Sequence, residues 1–136
     1  MSAKSIILVE NDNNLRQSIA LILQRAGYVV SATDRADRAL ELLSKRKYHL
    51  LISDINLSET SKVLLPRVLR IFPQLPIVIL TDQSKIEAEI ESKLFSAYYL
   101  IKPVAPERLL DYVGSILGRE NNHGHSNNQG LLEDRL

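Results

Sequence analysis

The chain has 136 residues, 45% hydrophobic and 24% charged, the balance of one globular domain and not of a disordered chain. It contains no cysteine, which excludes disulfides, thiolate zinc sites and cysteine catalysis. Seventeen basic side chains against sixteen acidic ones leave a net charge of +1, so there is no electrostatic case for DNA or an anionic membrane.

The N-terminus, Met1 to Ser5, leads straight into an apolar run and has none of the parts of a signal peptide. No apolar run approaches the roughly 20 residues of a membrane span. A soluble, cytoplasmic protein is predicted. Ile6-Ile7-Leu8-Val9 reads as a strand buried on both faces. Leu15, Ile19, Ile22, Leu23 and Ala26 then recur at helical steps, and Gly27 sits where a helix end favours a left-handed residue. Tyr28-Val29-Val30 predicts a second strand. Ala36, Leu40, Leu43 and Lys47 share one stripe of a second helix. Leu50-Leu51-Ile52 predicts a third strand that stops at Ser53-Asp54.

Val63 to Phe72 has helical periodicity but contains Pro66, so this third helix should start late or be irregular. Ile77 to Leu80 reads as strand four. Ile86, Ile90 and Leu94 mark a fourth helix, and Tyr98 to Ile101 strand five. Pro106 to Leu117 is a fifth helix with Leu109, Leu110, Val113, Ile116 and Leu117 inward, Pro106 suiting its first turn. Five β-α pairs predict an α/β protein, a doubly wound parallel five-stranded sheet with helices on both faces. Its working crevice should lie at the carboxyl ends of the strands.

Residues 1–118 are thus predicted as one domain. Residues 119–136 read as a flexible tail or a linker to a possible effector domain. Asn121 to Gly130 has no large apolar residue, and Leu131 to Leu136 is amphipathic again. His123 and His125 are a weak metal motif without further ligands. No helix-turn-helix pattern or basic stripe follows the last helix, so direct nucleic-acid binding is not expected.

The strand ends carry the chemistry. Strand one ends at Glu10-Asn11-Asp12, strand three at Asp54 with Asn56 beyond it, strand four at Thr81, and strand five at Lys102-Pro103. Singly, each has a plain structural use. Asp12 or Asn13 suits an N-cap, Asp54 a turn, Thr81 a cap, and Lys102 a solvated surface. Together they place carboxylates, a hydroxyl and an ammonium at one sheet edge. Such oxygen ligands suit Mg²⁺ and phosphoryl groups, and a carboxylate can act as a nucleophile toward phosphorus.

On these segments, with Leu15 and Arg16 after the first and Ile55 and Leu57 around Asn56, the sequence resembles the receiver domain of bacterial two-component response regulators over about residues 4–118. The resemblance implies a flavodoxin-like (βα)5 receiver fold with strand order 2-1-3-4-5. It implies that Asp54 is the phosphoacceptor, taking its phosphoryl group from a phosphohistidine on a sensor histidine kinase or phosphotransfer protein in a Mg²⁺-dependent reaction. Thr81 and Lys102 would hold the phosphoryl oxygens, with the Lys102–Pro103 bond cis. The metal would be held by Glu10, Asn11 and Asp54 and the carbonyl of Asn56, with Asp12 a partial substitute. Thr81 and Tyr99 would form the switch, and Asn56 and Gln83 would set the lifetime of the acyl phosphate. The chain would be no conventional enzyme, at most catalysing its own phosphorylation and dephosphorylation.

The resemblance also implies a switching face of the fourth helix, fifth strand and fifth helix, which would bind a partner or a second copy of the chain as a homodimer. Three departures stand out. Asn11 replaces the usual Asp, which removes a negative charge and should lower metal affinity. Leu57 to Lys62 lacks the usual Pro and Gly, and Phe95 to Tyr98 replaces a usual glycine and acidic residue. The competing functional reading is a degenerate receiver, a phosphorylation-independent interaction module. A flavodoxin-like small-molecule binder is disfavoured because Asn11 to Asn14 contains no glycine.

Overall fold

The computed structural model describes residues 3–54, 64–82 and 97–118. Its elements are β1 (Ser5–Val9), α1 (Asn13–Arg25), β2 (Val29–Thr33), α2 (Ala36–Lys45), β3 (Leu50–Asp54), α3 (Leu65–Ile71), β4 (Ile77–Thr81), β5 (Ala97–Ile101) and α4 (Pro106–Leu117). The fourth predicted helix lies outside the described residues, as do Asn56, Gln83, the 57–62 loop and residues 119–136, so α4 here is the fifth predicted helix. All neighbouring strands pair in parallel, in the order β2-β1-β3-β4-β5. This is the doubly wound order that the sequence resemblance implies.

The three central strands are fully buried along their length, as continuous β-branched runs require. Alternation divides each between two cores. Ile7, Val9, Leu51, Ile77 and Ile79 pack on one face against Ala39 and Leu43 of α2 and Leu65 and Val68 of α3. Ile6, Leu8, Leu50, Ile52, Val78 and Leu80 pack on the other against Ile19 and Leu23 of α1 and Leu109 and Val113 of α4. Each fully buried Leu or Ile contributes roughly 1.5–3 kcal/mol of transfer free energy, so slipping one central strand by a residue would scramble both cores.

Several local details differ from the sequence expectation. β2 runs three residues further, through Thr33, because its partner β1 continues alongside it. As an edge strand it leaves Val29 44% exposed. α2 ends at Lys45, so Lys47 is off the helix and exposed. Its third buried position is Ala39, which the predicted stripe omitted. α4 buries Tyr112 and Gly114 with Leu109 and Val113. α3 is described from Leu65 to Ile71, with Pro66 at the second of those positions. Gly27 follows α1 with φ +100°, a left-handed conformation that glycine adopts without Cβ strain.

Candidate functional site

Parallel strands bring their carboxyl ends to one edge, and the residues there come from four separate segments. Glu10 follows β1, Asp54 closes β3, Thr81 closes β4, and Lys102 follows β5. β1 is adjacent to β3, β3 to β4 and β4 to β5, so the four positions form a row across the sheet.

The side chains converge. Lys102 Nζ lies 3.3 Å from Glu10 Oε1 and 3.3 Å from Asp54 Oδ1. The two carboxylate oxygens are therefore no farther apart than twice that distance. Glu10 is 1% exposed and Asp54 3%, while the Lys102 side chain keeps 21% of its surface open. Lys102 is thus the most exposed of the three side chains. The Lys102–Pro103 peptide is cis. The Lys102 amide donates to the Thr81 carbonyl at 2.7 Å, which ties the end of β5 to the end of β4. Thr81 is fully buried, and its hydroxyl donates a long 3.4 Å hydrogen bond to the Asp82 carbonyl.

The β1–α1 connection is built around Glu10 and Asp12. The Asp12 amide donates to Glu10 Oε2 at 3.0 Å. Asp12 Oδ1 accepts from the Leu15 amide at 2.9 Å, which makes Asp12 the N-cap of α1. Arg16 reaches back from the first turn of α1, donating to the Glu10 carbonyl at 2.9 Å and to Asn13 Oδ1. Asn11 and Asp12 are both exposed. Tyr99 is half-buried and packs against the core on the α2–α3 face. It pairs in register with Ile79, two residues before Thr81, on the face Thr81 shares. Asn56 and Gln83 lie outside the described residues.

The electrostatics show a site short of positive charge. Burial pushes the Glu10 carboxyl above the usual range. The hydrogen bond from the Asp12 amide opposes that shift, Asp54 adds to it, and Lys102 opposes it. Among the described residues Glu10 Oε1 is buried and has no hydrogen-bond partner beyond its ion pair with Lys102. Desolvation of the buried carboxylate outweighs the contact with the Lys102 ammonium 3.3 Å away, which leaves Glu10 with acceptor capacity to spare. Two buried carboxylates with an unused acceptor are a donor set for a hard divalent cation that keeps most of its waters. Among the described residues no group of three His, Cys, Asp or Glu side chains comes together as a metal site. The pocket offers the buried carboxylates of Glu10 and Asp54, while the Asn11 position contributes no charge and Asp12 uses Oδ1 in its cap.

The fold and this edge define a class of molecule: a small doubly wound α/β protein whose carboxyl edge holds a buried acidic pair bridged by a lysine, beside a buried threonine. Residues 6–114 match the response regulator receiver domain family, and the chain belongs to it. It is a receiver domain of response regulators in two-component signalling. Over 115 residues it is 33% identical to the response regulator protein FleR of Pseudomonas aeruginosa, covering 83% of this chain and 24% of FleR. It is 28% identical over 123 residues to the cell cycle transcriptional regulator CtrA of Caulobacter vibrioides, covering 89% of this chain and 53% of CtrA. Among solved structures it is similar to the chemotaxis protein CheY4 of Vibrio cholerae, with TM-score 0.73 and 29% identity, covering 85% of this chain and all of that one. The chain spans from about a quarter to about half the length of these two curated relatives. Receiver domains generally use Mg²⁺ at the phosphorylation site and work with kinase or phosphotransfer partners. Among the described residues no helix is long and apolar enough to cross a membrane.

Proposed function

We propose that this receiver accepts a phosphoryl group on Asp54 from a phosphohistidine of a histidine kinase or phosphotransfer protein. The observation that carries the proposal is the convergence of Asp54 Oδ1 and Glu10 Oε1 on Lys102 Nζ, each at 3.3 Å. An oxygen of Asp54 attacks phosphorus, the P–N bond of the donor breaks, and its electron pair returns to the imidazole. Lys102 is partly open, so it can leave the carboxylate pair and hold a phosphoryl oxygen. Its positive charge then offsets the negative charge that arrives. Among the described residues the Thr81 hydroxyl makes one long 3.4 Å bond, so little is lost when it turns to a better acceptor.

Mg²⁺ held by Glu10 and Asp54 would neutralise charge on the transferred group. Glu10 positions that charge, and its bond from the Asp12 amide fixes the carboxylate against rotation. Movement of Thr81 toward the phosphoryl group opens space on the face it shares with Tyr99. The Tyr99 ring then repacks the surface of β5 and α4, where a partner or a second copy of the chain docks. Asn56 and Gln83 set how fast water removes the phosphoryl group.

The test is incubation with Mg²⁺ and acetyl phosphate, read by intact mass against Asp54→Asn. A phosphoryl mass gain that needs Asp54 is expected. A second reading is a receiver that signals without phosphate. It is favoured by the neutral, exposed Asn11 and by the lysine already paired with both carboxylates. No mass gain and no beryllofluoride binding at millimolar Mg²⁺ would select it.

A further inference from the structure

The opposite edge of the sheet carries a feature that phosphoryl chemistry does not use. The α2–β3 connection (residues 46–49) and the α3–β4 connection (residues 72–76) flank a groove of about 510 Å³. That is the size of pockets that take small ligands or short peptide segments. Its walls include Leu43, Phe72, Leu75 and Pro76. Its charged lining is one-sided: Arg46 and Lys47 are exposed cations, and none of the lining residues is acidic. Arg46 is held in place. Its Nη2 donates to Ser5 Oγ at 3.1 Å, and its guanidinium lies 5.0 Å over the ring of buried Tyr48. A fixed cation at the mouth of an apolar trough fits a segment that combines leucines with carboxylates.

The same chain supplies one. Strands are parallel, so every helix returns to the amino edge, and α4 ends there at Gly118. Residues 119–130 contain no large apolar side chain, and then come Leu131-Leu132-Glu133-Asp134-Arg135-Leu136. A coil of twelve residues spans roughly 20 Å. Five strands cover about the same width, at roughly 4.8 Å per gap. The segment can therefore reach any point of that edge. We propose that Leu131–Leu136 docks in this groove, its leucines in the trough and Glu133 and Asp134 against Arg46 and Lys47. It would cover the amino edge of the sheet at the end opposite Asp54. Tethering raises its local concentration into the millimolar range, so a weak contact suffices.

The absence of native cysteine makes the test clean. A nitroxide on Asn128→Cys in the full chain should erase the amide signals of Leu43, His49 and Leu75. The loss should not depend on protein concentration. Leu132→Glu with Leu136→Glu should restore those signals. Lys47→Glu should weaken the loss, and Glu133→Lys combined with it should recover it. Undiminished groove signals, or losses centred on another surface, would overturn the proposal. So would loss arising only between labelled and unlabelled copies, which would make the occupant a second molecule.

Discussion

Glu10 stands at a position where stability and function oppose each other. Burial raises its pKa, so the folded protein holds its charged form at a cost that the unfolded chain does not bear. Replacing Glu10 with Gln keeps the shape and removes the charge, and leaves Lys102 paired with Asp54. In metal-free buffer Glu10→Gln should therefore raise unfolding free energy by about 1 kcal/mol. Urea denaturation would show this as a higher midpoint. The same change should weaken Mg²⁺ binding and slow labelling by acetyl phosphate. A lower midpoint would mean that the carboxylate is well satisfied despite its unbonded oxygen. Asn11 makes the complementary point. A carboxylate there would face a divalent ion with about 2 kcal/mol of attraction at 4 Å even in water. Asn11→Asp should tighten Mg²⁺ by tenfold or more, read by a metal titration. No change would show that position 11 does not face the ion.

Among the elements, the first β–α connection decides what Asp12 does. Its carboxylate caps α1 through the Leu15 amide, while its own amide holds Glu10. The two jobs use different atoms and can be separated. Asp12→Ala should cost about 1 kcal/mol, the usual loss for a removed N-cap, and Asp12→Asn should cost little. Both keep the backbone N–H, so both should retain Mg²⁺ affinity and Asp54 labelling. If Asp12→Asn instead lowered metal affinity severalfold, the carboxylate would be a ligand and not a cap. The sequence already posed this choice, since an aspartate after a strand serves either use. Continuous apolar runs and helical spacing made the strands and most helices legible, because burial on two faces leaves few alternatives. The carboxyl-edge cluster was legible for a similar reason, as parallel topology dictates where strand ends meet. What the sequence could not show was where neighbours override local pattern. β2 extends because β1 lies beside it, and Ala39, Tyr112 and Gly114 are buried by what packs on them. The cationic groove is of the same kind, since it is made by two connections some 25 residues apart in the chain.

For the molecule as a whole, the two edges of the sheet respond to pH in opposite senses. At the amino edge His49 Nδ1 accepts the Ser5 amide at 2.9 Å, and the His49 amide donates to the Ser5 carbonyl at 2.8 Å, joining the starts of β1 and β3. An imidazole nitrogen accepts only when unprotonated. Burial lowers the His49 pKa, helped by the charges of Lys4 and Lys47. A lowered value in the folded state means that its contribution is complete above the ordinary value of 6.5 and is lost as pH falls through the folded value. Glu10 at the carboxyl edge has a raised value, so its contribution is complete below 4.5 and is lost as pH rises through the folded value. On acidification from neutrality His49 therefore removes stability while Glu10 returns some. His49→Gln should flatten the decline as pH falls below 6.5, and Glu10→Gln should remove the gain that Glu10 contributes as pH falls toward 4.5. Denaturation midpoints across that range for the wild type and both variants would test the pair. A His49→Gln profile parallel to wild type would show that the β1–β3 junction tolerates a protonated imidazole, and would remove the amino edge as a source of acid sensitivity.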